Sequence, residues 1–561
     1  MNRKKQNEYA ATGAALILFF LIACHKLDHS SLWFDESIEY WYSKIMFGGL
    51  PFPDDSGNMY QRVISTLQPP LYNFLLYFWL KISDTQWWFR FFGVLSGFCG
   101  MIGLYKIVKK YAGVLSACLA IAFAACLYRL AYYWQEAAEY SLMLGLLFWT
   151  VYLWSNLIQS PDLKNIILFT LFAALPVYSQ YGAAFPVFAL GLSAYIMILL
   201  SKNKKAILYI HIAYLIALFC AALPLYILFI RKQLSLQHGV SQSHAFSNLA
   251  NITNITFDGG FVRDCAVNFY RVFHWNLFPH YGWASSAILL LLFLILTVTV
   301  IFKGDKFIKI FSIVNIFTWF CYYFAVKSGV YANMSYGGFG NRYNLFFIPL
   351  WIIYLFIAGH EFYNILQTIR VPENIKKFKI LKNLKIHDYL PALYTGAAIC
   401  FLFCFCVSEW TAHIQPNWNK GDLRGAVAAW YDHNGYEQDK NTLIYYAAAS
   451  GFAYYARMDA RYNPEARIIY MNWGDSGMDT RNYQNYLREL YGENPDAFPD
   501  EIYFIIAHRA ADDVDALSNA FYAFGYQSED LYNHDFYDEE GGRLIRFSRA
   551  SLDFYPIGDY N

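Results

Sequence analysis

The sequence predicts a polytopic α-helical membrane protein that carries a small, water-soluble C-terminal α/β domain. Of the 561 residues, 57% are hydrophobic and only 15% are charged, whereas soluble globular proteins carry about 25% charged residues. Apolar stretches of membrane-spanning length recur over the first 410 residues. Beyond them, residues 411–561 hold 12 Lys and Arg against 24 Asp and Glu, which is typical of an acidic domain in water.

Eleven apolar stretches are long enough to cross a bilayer, which takes about 20 residues in a helix. They lie at residues 9–27, 87–108, 112–132, 139–158, 164–182, 184–201, 206–230, 284–302, 307–326, 342–363 and 388–410. We therefore expect about 11 transmembrane helices in a membrane domain at 1–410, followed by the acidic domain at 411–561.

The basic residues between these stretches predict the orientation of the chain, because Lys and Arg accumulate in cytoplasmic loops. The basic clusters all fall on one side of the membrane, at residues 3–5, 106–110, 202–205, 303–306 and 376–379. An odd number of spans then places the N-terminus in the cytoplasm and the C-terminal domain outside. The long loops 28–86 and 231–283 face the same outer side. We expect an integral, multi-pass protein of the plasma (inner) membrane.

The acidic tail has the pattern of a folded domain. Strand-like runs at 442–448, 467–471, 501–507 and 544–547 alternate with helix-like runs at 423–433, 483–491 and 511–524. This order predicts a small α/β layer on the extracytoplasmic side. The sequence contains neither a GxGxxG nor a GxxxxGKS phosphate loop. A nucleotide-binding role is therefore not supported, and nucleic acid is not an expected partner.

Two adjacent carboxylates, Asp35 and Glu36, follow directly on the first apolar stretch. Acids at the edge of a membrane are costly unless they are used or well solvated. One of them could activate an acceptor by taking its proton. The competing interpretation is structural, since a carboxylate near a helix amino terminus is favoured by about 0.3–1 kcal/mol.

Further polar groups lie at the outer ends of other spans and are candidates for substrate binding. They are Gln68 before a double proline, Gln135, Glu136 and Tyr140 between spans three and four, Tyr181 after span five, and Arg342 and Tyr343 before span ten. Arg342 can hold a phosphate through paired, charge-assisted hydrogen bonds, and its alternative role is that of an interfacial anchor. The shared membrane face predicts one site for an acceptor, a sugar and a phosphate.

At these residues the chain resembles the polyprenyl-phosphate-dependent membrane glycosyltransferases of the GT-C class. The branch is that of the protein O-mannosyltransferases and the lipid A aminoarabinose transferase. The resemblance covers residues 1 to about 360 and rests on Asp35-Glu36, Gln68-Pro69-Pro70-Leu71-Tyr72, Gln135-Glu136-Ala137 with Tyr140, and Arg342-Tyr343 with Pro349.

Two positions depart from the family pattern. The family often has His or Lys where this chain has Gln68, and Arg where it has Ala138. If those cations bind the donor phosphate, Arg342 or another residue such as Arg62 must substitute for them.

The resemblance implies a GT-C fold and inverting transfer of a hexose or pentose from a polyprenyl-phosphate carrier to a protein, lipid or glycan acceptor. In this scheme Asp35 is the catalytic base, Glu36 is a supporting or acceptor-binding acid, and Arg342 is the phosphate ligand. Membrane lipids are the remaining partners. The sequence identifies no certain cofactor, and a divalent metal near the acids is compatible with it although no ligand spacing demands one.

Two other classes of protein compete with this interpretation. A multispan transporter or flippase of a lipid-linked or small polar substrate would also combine many spans with intramembrane acids. Transporters commonly consist of two related halves, and no such internal repeat is visible in the sequence. A noncatalytic scaffold that displays the tail would leave Asp35, Glu136 and Arg342 unexplained.

Overall fold

The computed structural model divides the chain into two compact units. A membrane unit comprises Met1–Leu27 and Gln61–Gln415, and a sheet unit comprises Asp28–Tyr60 and Pro416–Asn561. The structure describes residues 3–44, 64, 68–240, 259–328, 331, 339–368, 386–414, 422–445, 448–471, 479–494, 497–507, 511–534 and 542–549.

The membrane unit is built from helices. Their bounds are Arg3–Ala23, Leu71–Trp79, Gln86–Cys126, Tyr128–Gln135, Glu139–Gln159, Leu163–Ser179, Ala184–Leu200, Lys204–Ala217, Leu223–Leu225, Arg231–Val240, Gly259–Leu277, Trp283–Lys303, Lys306–Lys327, Phe347–Thr368 and Ile386–Ile414. Two π-helical turns, Leu218–Ala222 and Tyr226–Ile230, keep the chain helical between Ala217 and Arg231. Among the described residues, nine helices are long and apolar enough to cross a membrane.

These nine helices account for ten of the eleven predicted spans. Gly113 has φ +81° and ψ 175° within Gln86–Cys126, so this 41-residue helix is two helices joined at a sharp kink. The kink lies at the start of the predicted span 112–132, close to the turn predicted between spans two and three, and glycine adopts positive φ at little cost. The remaining span corresponds to Leu163–Ser179, a shorter apolar helix of 17 residues. The prediction of a polytopic helical membrane protein is confirmed.

Glycines allow the helix that begins at Gln86 to pack closely against the helix Glu139–Gln159. A Cβ on Gly100 would lie 2.6 Å from the Cα of Gly145, and a Cβ on Gly145 would lie 2.6 Å from the carbonyl oxygen of Ser96. Small residues permit this kind of backbone approach between membrane helices. A side chain at either glycine would collide with backbone atoms.

We expect Gly100→Val to destabilise the membrane unit by about 1–3 kcal/mol, because the added methyl groups meet backbone that cannot move aside. Thermal unfolding of the purified protein in detergent, followed by circular dichroism, measures the loss. Gly13→Val is the matched control, since a Cβ there meets nothing within 4 Å. Equal melting temperatures for the two variants would contradict the close approach.

The sheet unit contains a five-stranded sheet in the order β2-β1-β3-β5-β4. The strands are β1 Asn441–Ile444, β2 Arg467–Tyr470, β3 Glu501–Ala507, β4 Tyr526–His534 and β5 Gly542–Arg549. β1 pairs in parallel with β2 and β3, whereas β5 runs antiparallel to β3 and β4. The helices of the unit are Phe34–Lys44, Leu423–Asp432, Ala449–Met458, Thr480–Tyr491 and Ala511–Tyr522.

The predicted C-terminal α/β domain is confirmed, and two of its elements were missed. The helix Ala449–Met458 is buried from Ala449 to Ala456, so it has no polar face to give a helical periodicity. The strand β4 has the sequence Tyr-Gln-Ser-Glu-Asp-Leu-Tyr-Asn-His, which contains few of the apolar residues that mark a half-buried strand.

The segment that follows the first apolar helix belongs to the sheet unit. The sequence places residues 28–86 in the membrane domain, whereas Asp28–Tyr60 groups with the C-terminal part of the chain. The described part of this segment includes the helix Phe34–Lys44. Its partners are distant in sequence: Ser37 and Ser450, whose hydroxyls are in contact, are 413 positions apart.

Candidate functional site

The predicted acid pair lies at the start of the helix Phe34–Lys44. The backbone N–H of Trp33, the residue before the helix, donates to Glu36 Oε2 at 3.3 Å. This is one half of a capping box, in which an acid of the first turn satisfies an otherwise unpaired backbone donor. Glu36 is fully buried, whereas Asp35 is only partly buried. The two acids therefore differ in role: Glu36 closes the helix start, and Asp35 is accessible.

In the membrane unit, the break between the helices Tyr128–Gln135 and Glu139–Gln159 carries two further acids. Glu136 and Glu139 are each 2% exposed. Glu139 lies in the first turn of its helix, where the helix dipole favours a carboxylate. The predicted residue Glu136 therefore lies in a buried acidic segment of the membrane unit.

The charges of Glu136 and Arg342 both act on the hydroxyl of Tyr133. Its ring lies 5.1 Å from that of Tyr140, centroid to centroid. Burial raises the pKa of the Tyr133 hydroxyl, Arg129 and Arg342 act to lower it, and Glu136 acts to raise it. Charges shift a pKa in this way only from nearby. The structure thus brings Glu136, Tyr140 and Arg342, all predicted for substrate binding, into one region of the membrane unit.

Arg342 lies in a 3₁₀ turn, Phe339–Asn344, shortly before the helix Phe347–Thr368. Its guanidinium carbon is 5.4 Å from the centroid of the Tyr343 ring, which is cation–π geometry. The side chain is half-buried. A half-buried guanidinium stacked on an aromatic ring keeps its charge and has few ways to turn away, which suits it to hold an anion.

Two hydrogen bonds hold this turn in place. Asn276 Nδ2 donates to Asn344 Oδ1 at 2.9 Å, and both side chains are 0% exposed. The hydroxyl of Tyr331 donates to the carbonyl oxygen of Tyr343 at 2.8 Å. Sequence reasoning missed Asn276 and Tyr331, because a single amide or phenol side chain carries no sequence pattern that reveals its partner.

A hydrogen-bonded chain joins two other predicted residues, Gln68 and Tyr181. The Tyr181 hydroxyl donates to Gln233 Oε1 at 2.6 Å, and Gln233 Nε2 donates to the carbonyl oxygen of Gln68 at 2.9 Å. Gln233 is only 4% exposed. This side chain, which the sequence did not single out, fixes the segment before the double proline relative to the C-terminal end of span five.

Gln135 binds the end of the first helix. Its side-chain nitrogen donates to the carbonyl oxygens of Ile22, Ala23 and His25 at 3.2, 3.2 and 2.7 Å. A helix C-terminus leaves its last carbonyl groups without partners inside the helix. Gln135 thus has a structural task, and its contact with a substrate stays a prediction.

The structure also reveals two buried ionisable residues that sequence reasoning did not assign to the site. Glu409 is 0% exposed, and its Oε2 accepts from the backbone N–H of Tyr128 at 2.8 Å. It thereby caps the short helix that leads to Glu136. Arg90, which is 2% exposed, donates to the carbonyl oxygen of Leu27 at 3.0 Å. An acid within the apolar stretch 388–410 was the signal that could have revealed Glu409.

Two predictions find no structural counterpart. Arg62 lies outside the described residues. In the part of the chain that the structure describes, no group of three or more His, Cys, Asp or Glu side chains could hold a metal ion. Those side chains therefore supply no ligand set for the divalent metal that the sequence left open.

Residues 67–227 match the family model of the dolichyl-phosphate-mannose-protein mannosyltransferases. No curated protein matches the sequence. Among solved structures, the apo oligosaccharyltransferase of Archaeoglobus fulgidus is similar with a TM-score of 0.50 and 10% identity, covering 92% of this chain and 71% of that one. The fold is of the GT-C type. ArnT from Cupriavidus metallidurans bound to undecaprenyl phosphate is similar with a TM-score of 0.48 and 11% identity, covering 98% of this chain and 99% of that one.

The predicted resemblance to the GT-C glycosyltransferases is confirmed. Within this GT-C fold, the stretch that matches the family model belongs to the membrane unit. Five of the predicted site residues fall inside the matched stretch: Gln68, Gln135, Glu136, Tyr140 and Tyr181. Asp35 precedes the matched stretch and Arg342 follows it, so the family match does not extend to these two residues.

Proposed function

We propose that the protein is an inverting glycosyltransferase that moves a sugar from a polyprenyl-phosphate carrier to an acceptor at the outer face of the membrane. The observation that carries this proposal is the family match of residues 67–227. The name of that family specifies dolichyl-phosphate mannose, which is a sugar on a polyprenyl-type phosphate. The match favours transfer over the transporter alternative. We propose a hexose or pentose as the sugar and a protein, lipid or glycan as the acceptor.

Asp35 is the proposed general base. It takes the proton of an acceptor hydroxyl while the acceptor oxygen attacks the anomeric carbon from the face opposite the phosphate. The carbon–oxygen bond to the lipid phosphate breaks, and the phosphate leaves with the bonding electrons. General-base catalysis of this kind typically contributes about 10² to 10⁴ in rate. The partial exposure of Asp35 is compatible with access of an acceptor.

Arg342 is the proposed ligand of the lipid phosphate. A leaving phosphate needs cationic stabilisation as charge develops on it, and the guanidinium lies half-buried on the Tyr343 ring. We propose that Gln68, Gln135, Glu136, Tyr140, Tyr181 and Tyr343 contact the donor or the acceptor. Glu36 supports Asp35, and Arg62 is a second candidate for the phosphate.

The activity is tested with purified protein, a panel of radiolabelled polyprenyl-phosphate sugars that begins with mannose, and acceptor membranes from cells that lack the protein. We expect label from one donor to enter a product that chromatography separates from the polyprenyl-phosphate sugar itself. A mass-spectrometric search for a sugar that disappears in the deletion strain identifies the acceptor. Movement of the intact donor across sealed vesicles without transfer would support the transporter alternative instead.

The same proposal places the N-terminus in the cytoplasm and the sheet unit outside the plasma (inner) membrane. The basic clusters between the spans support this orientation. In sealed right-side-out vesicles, added protease is expected to degrade the sheet unit and to spare an epitope at the N-terminus. Protection of both ends would contradict the odd number of spans.

A further inference from the structure

The segment that carries Asp35 is bound to the N-terminal end of the helix Leu423–Asp432. Ser31 Oγ donates to Asp422 Oδ1 at 2.9 Å, and the backbone N–H of Arg424 donates to Ser31 Oγ at 3.0 Å. Asp422 is itself the N-cap of this helix and accepts from the Gly425 N–H at 3.0 Å. Ser31 is thereby hydrogen-bonded to a helix N-terminus that Asp422 already caps.

The same segment is also bound to the helix Ala449–Met458. The hydroxyls of Ser37 and Ser450 are 2.6 Å apart, and Trp41 Nε1 donates to the Ser450 carbonyl oxygen at 2.8 Å. The backbone N–H of Leu32 donates to the Tyr455 hydroxyl at 2.5 Å. Ser37, Trp41 and Ser450 are each at most 3% exposed. These contacts are dry, so water does not easily replace them.

Aromatic packing reinforces the attachment. The rings of Tyr40 and Tyr454 meet edge to face with centroids 4.7 Å apart. The guanidinium carbon of Arg457 lies 5.4 Å from the centroid of the Trp41 ring. The side of the Asp35 helix that bears Tyr40 and Trp41 is therefore in contact with the helix Ala449–Met458, in addition to the hydrogen bonds.

The attachment lies beside β1 of the sheet. The helix Ala449–Met458 follows β1, which pairs in parallel with β2 on one side and β3 on the other. In open α/β sheets, ligands bind beyond the carboxyl ends of the strands, at the point where successive connections diverge. The strand order 2-1-3 places such a point beside β1. Here the first turn of the following helix contacts the chain's own residues Ser37 and Trp41.

Asp35 lies between two of these contacts in sequence. Leu32 is held by Tyr455 on one side, and Ser37 is held by Ser450 on the other. We propose that Ser450 and Tyr455 are positioning residues for Asp35, so that the C-terminal domain orients the catalytic base. This inference rests on the proposed function. A catalytic group must be held to within about 0.5 Å of its productive position. The buried hydrogen bonds at Leu32 and Ser37, one on each side of Asp35 in sequence, restrict the movement of its backbone.

The contact itself is tested without reference to activity. The double variant Ser37→Cys, Ser450→Cys in the full-length protein is expected to form a disulfide under mild oxidation, because the two oxygen atoms it replaces are 2.6 Å apart. Peptide mapping identifies the bond among the natural cysteines. Ser37→Cys combined with Ser528→Cys is the control, since Ser528 has its hydroxyl partner elsewhere, in Tyr522. Failure of the first pair to cross-link would overturn the proposal.

The effect on catalysis is tested with Ser450→Ala and Tyr455→Phe. Each is expected to lower kcat about 10- to 100-fold, as displacement of a reacting group by an ångström can do, and to leave the donor KM unchanged. Ser450→Thr, which retains a hydroxyl, should restore most of kcat. Ser528→Ala is the control, because it removes an exposed hydroxyl contact of the same 2.6 Å length from the same unit.

The outcomes separate this inference from the proposed function. If the wild-type protein transfers sugar and Ser450→Ala retains wild-type kcat, the positioning role is refuted while the proposed function stands. If Ser450→Ala and Ser528→Ala lose activity equally, the domain acts only through general stability and the inference is refuted. If the wild type transfers no sugar from any donor although the disulfide forms, the proposed function fails, and the positioning role fails with it.

Discussion

Asp35→Asn is expected to lower sugar transfer by about 10² to 10⁴-fold, because the amide cannot accept the proton of an acceptor hydroxyl. The substitution changes the size of the side chain very little. We therefore expect kcat to fall while the donor KM stays close to the wild-type value. Initial rates of label transfer, measured in detergent over a range of donor concentrations, separate the two constants.

Glu36→Gln is the informative comparison for this variant. The Gln side chain keeps an oxygen that can accept from the Trp33 N–H, so the start of the helix Phe34–Lys44 is retained. We expect a smaller loss of kcat than in Asp35→Asn, because Glu36 is fully buried. A larger loss of kcat in Glu36→Gln than in Asp35→Asn would identify Glu36 as the base and Asp35 as the supporting acid. Asp439→Asn, at an exposed position of the same unit, controls for the loss of one negative charge.

The membrane helices could be predicted because apolar length is a local property of the sequence. All eleven predicted stretches have a helical counterpart, and the kink at Gly113 falls close to the predicted turn. The strands β1, β2 and β3 could be predicted for the same reason, since their apolar runs are bounded by polar residues. The helix Ala449–Met458 could not, because a helix buried on all sides has no periodic polar face.

The sequence predicts the candidate site as a set of residue types, but it does not predict the contacts that support them. The sequence drew attention to Asp35 and Glu36 together, and only the backbone contact of Trp33 with Glu36 separates a capping acid from an accessible one. Gln233 supports Gln68 from 165 positions away. Pairings of this kind depend on tertiary packing, which no local pattern encodes.

The attachment of the Asp35 segment to the C-terminal domain is the largest difference between sequence and structure. A loop that follows a membrane span is expected to remain with its neighbouring spans, because consecutive elements are usually adjacent in space. Here Ser31 and Ser37 instead contact residues that follow the last span. The acidic domain thus contributes contacts to the very segment that carries the proposed base.

Arg342→Ala is expected to raise the donor KM about 10- to 100-fold, because a hydrogen bond to a charged group contributes about 1.5–3 kcal/mol. Arg342→Lys should fall between the wild type and Ala, since an ammonium group keeps the charge but loses the planar fork that pairs with two phosphate oxygens. Donor saturation curves with the acceptor in excess measure both effects. Direct binding of the lipid phosphate alone, measured by calorimetry, should weaken in the same order.

Arg263→Ala is the matched control for Arg342→Ala, because it removes an exposed guanidinium from the helix Gly259–Leu277 of the same unit.

The hydrogen bonds that hold the turn Phe339–Asn344 give a second comparison. Asn276→Ala removes the donor to Asn344 Oδ1 and should also raise the donor KM, although by less, because the guanidinium is retained while its turn loosens. If the donor KM of Arg342→Ala equals that of the wild type, a cation other than Arg342 binds the donor phosphate. Arg129, which shares the electrostatic environment of Tyr133 with Arg342, is then the next residue to replace.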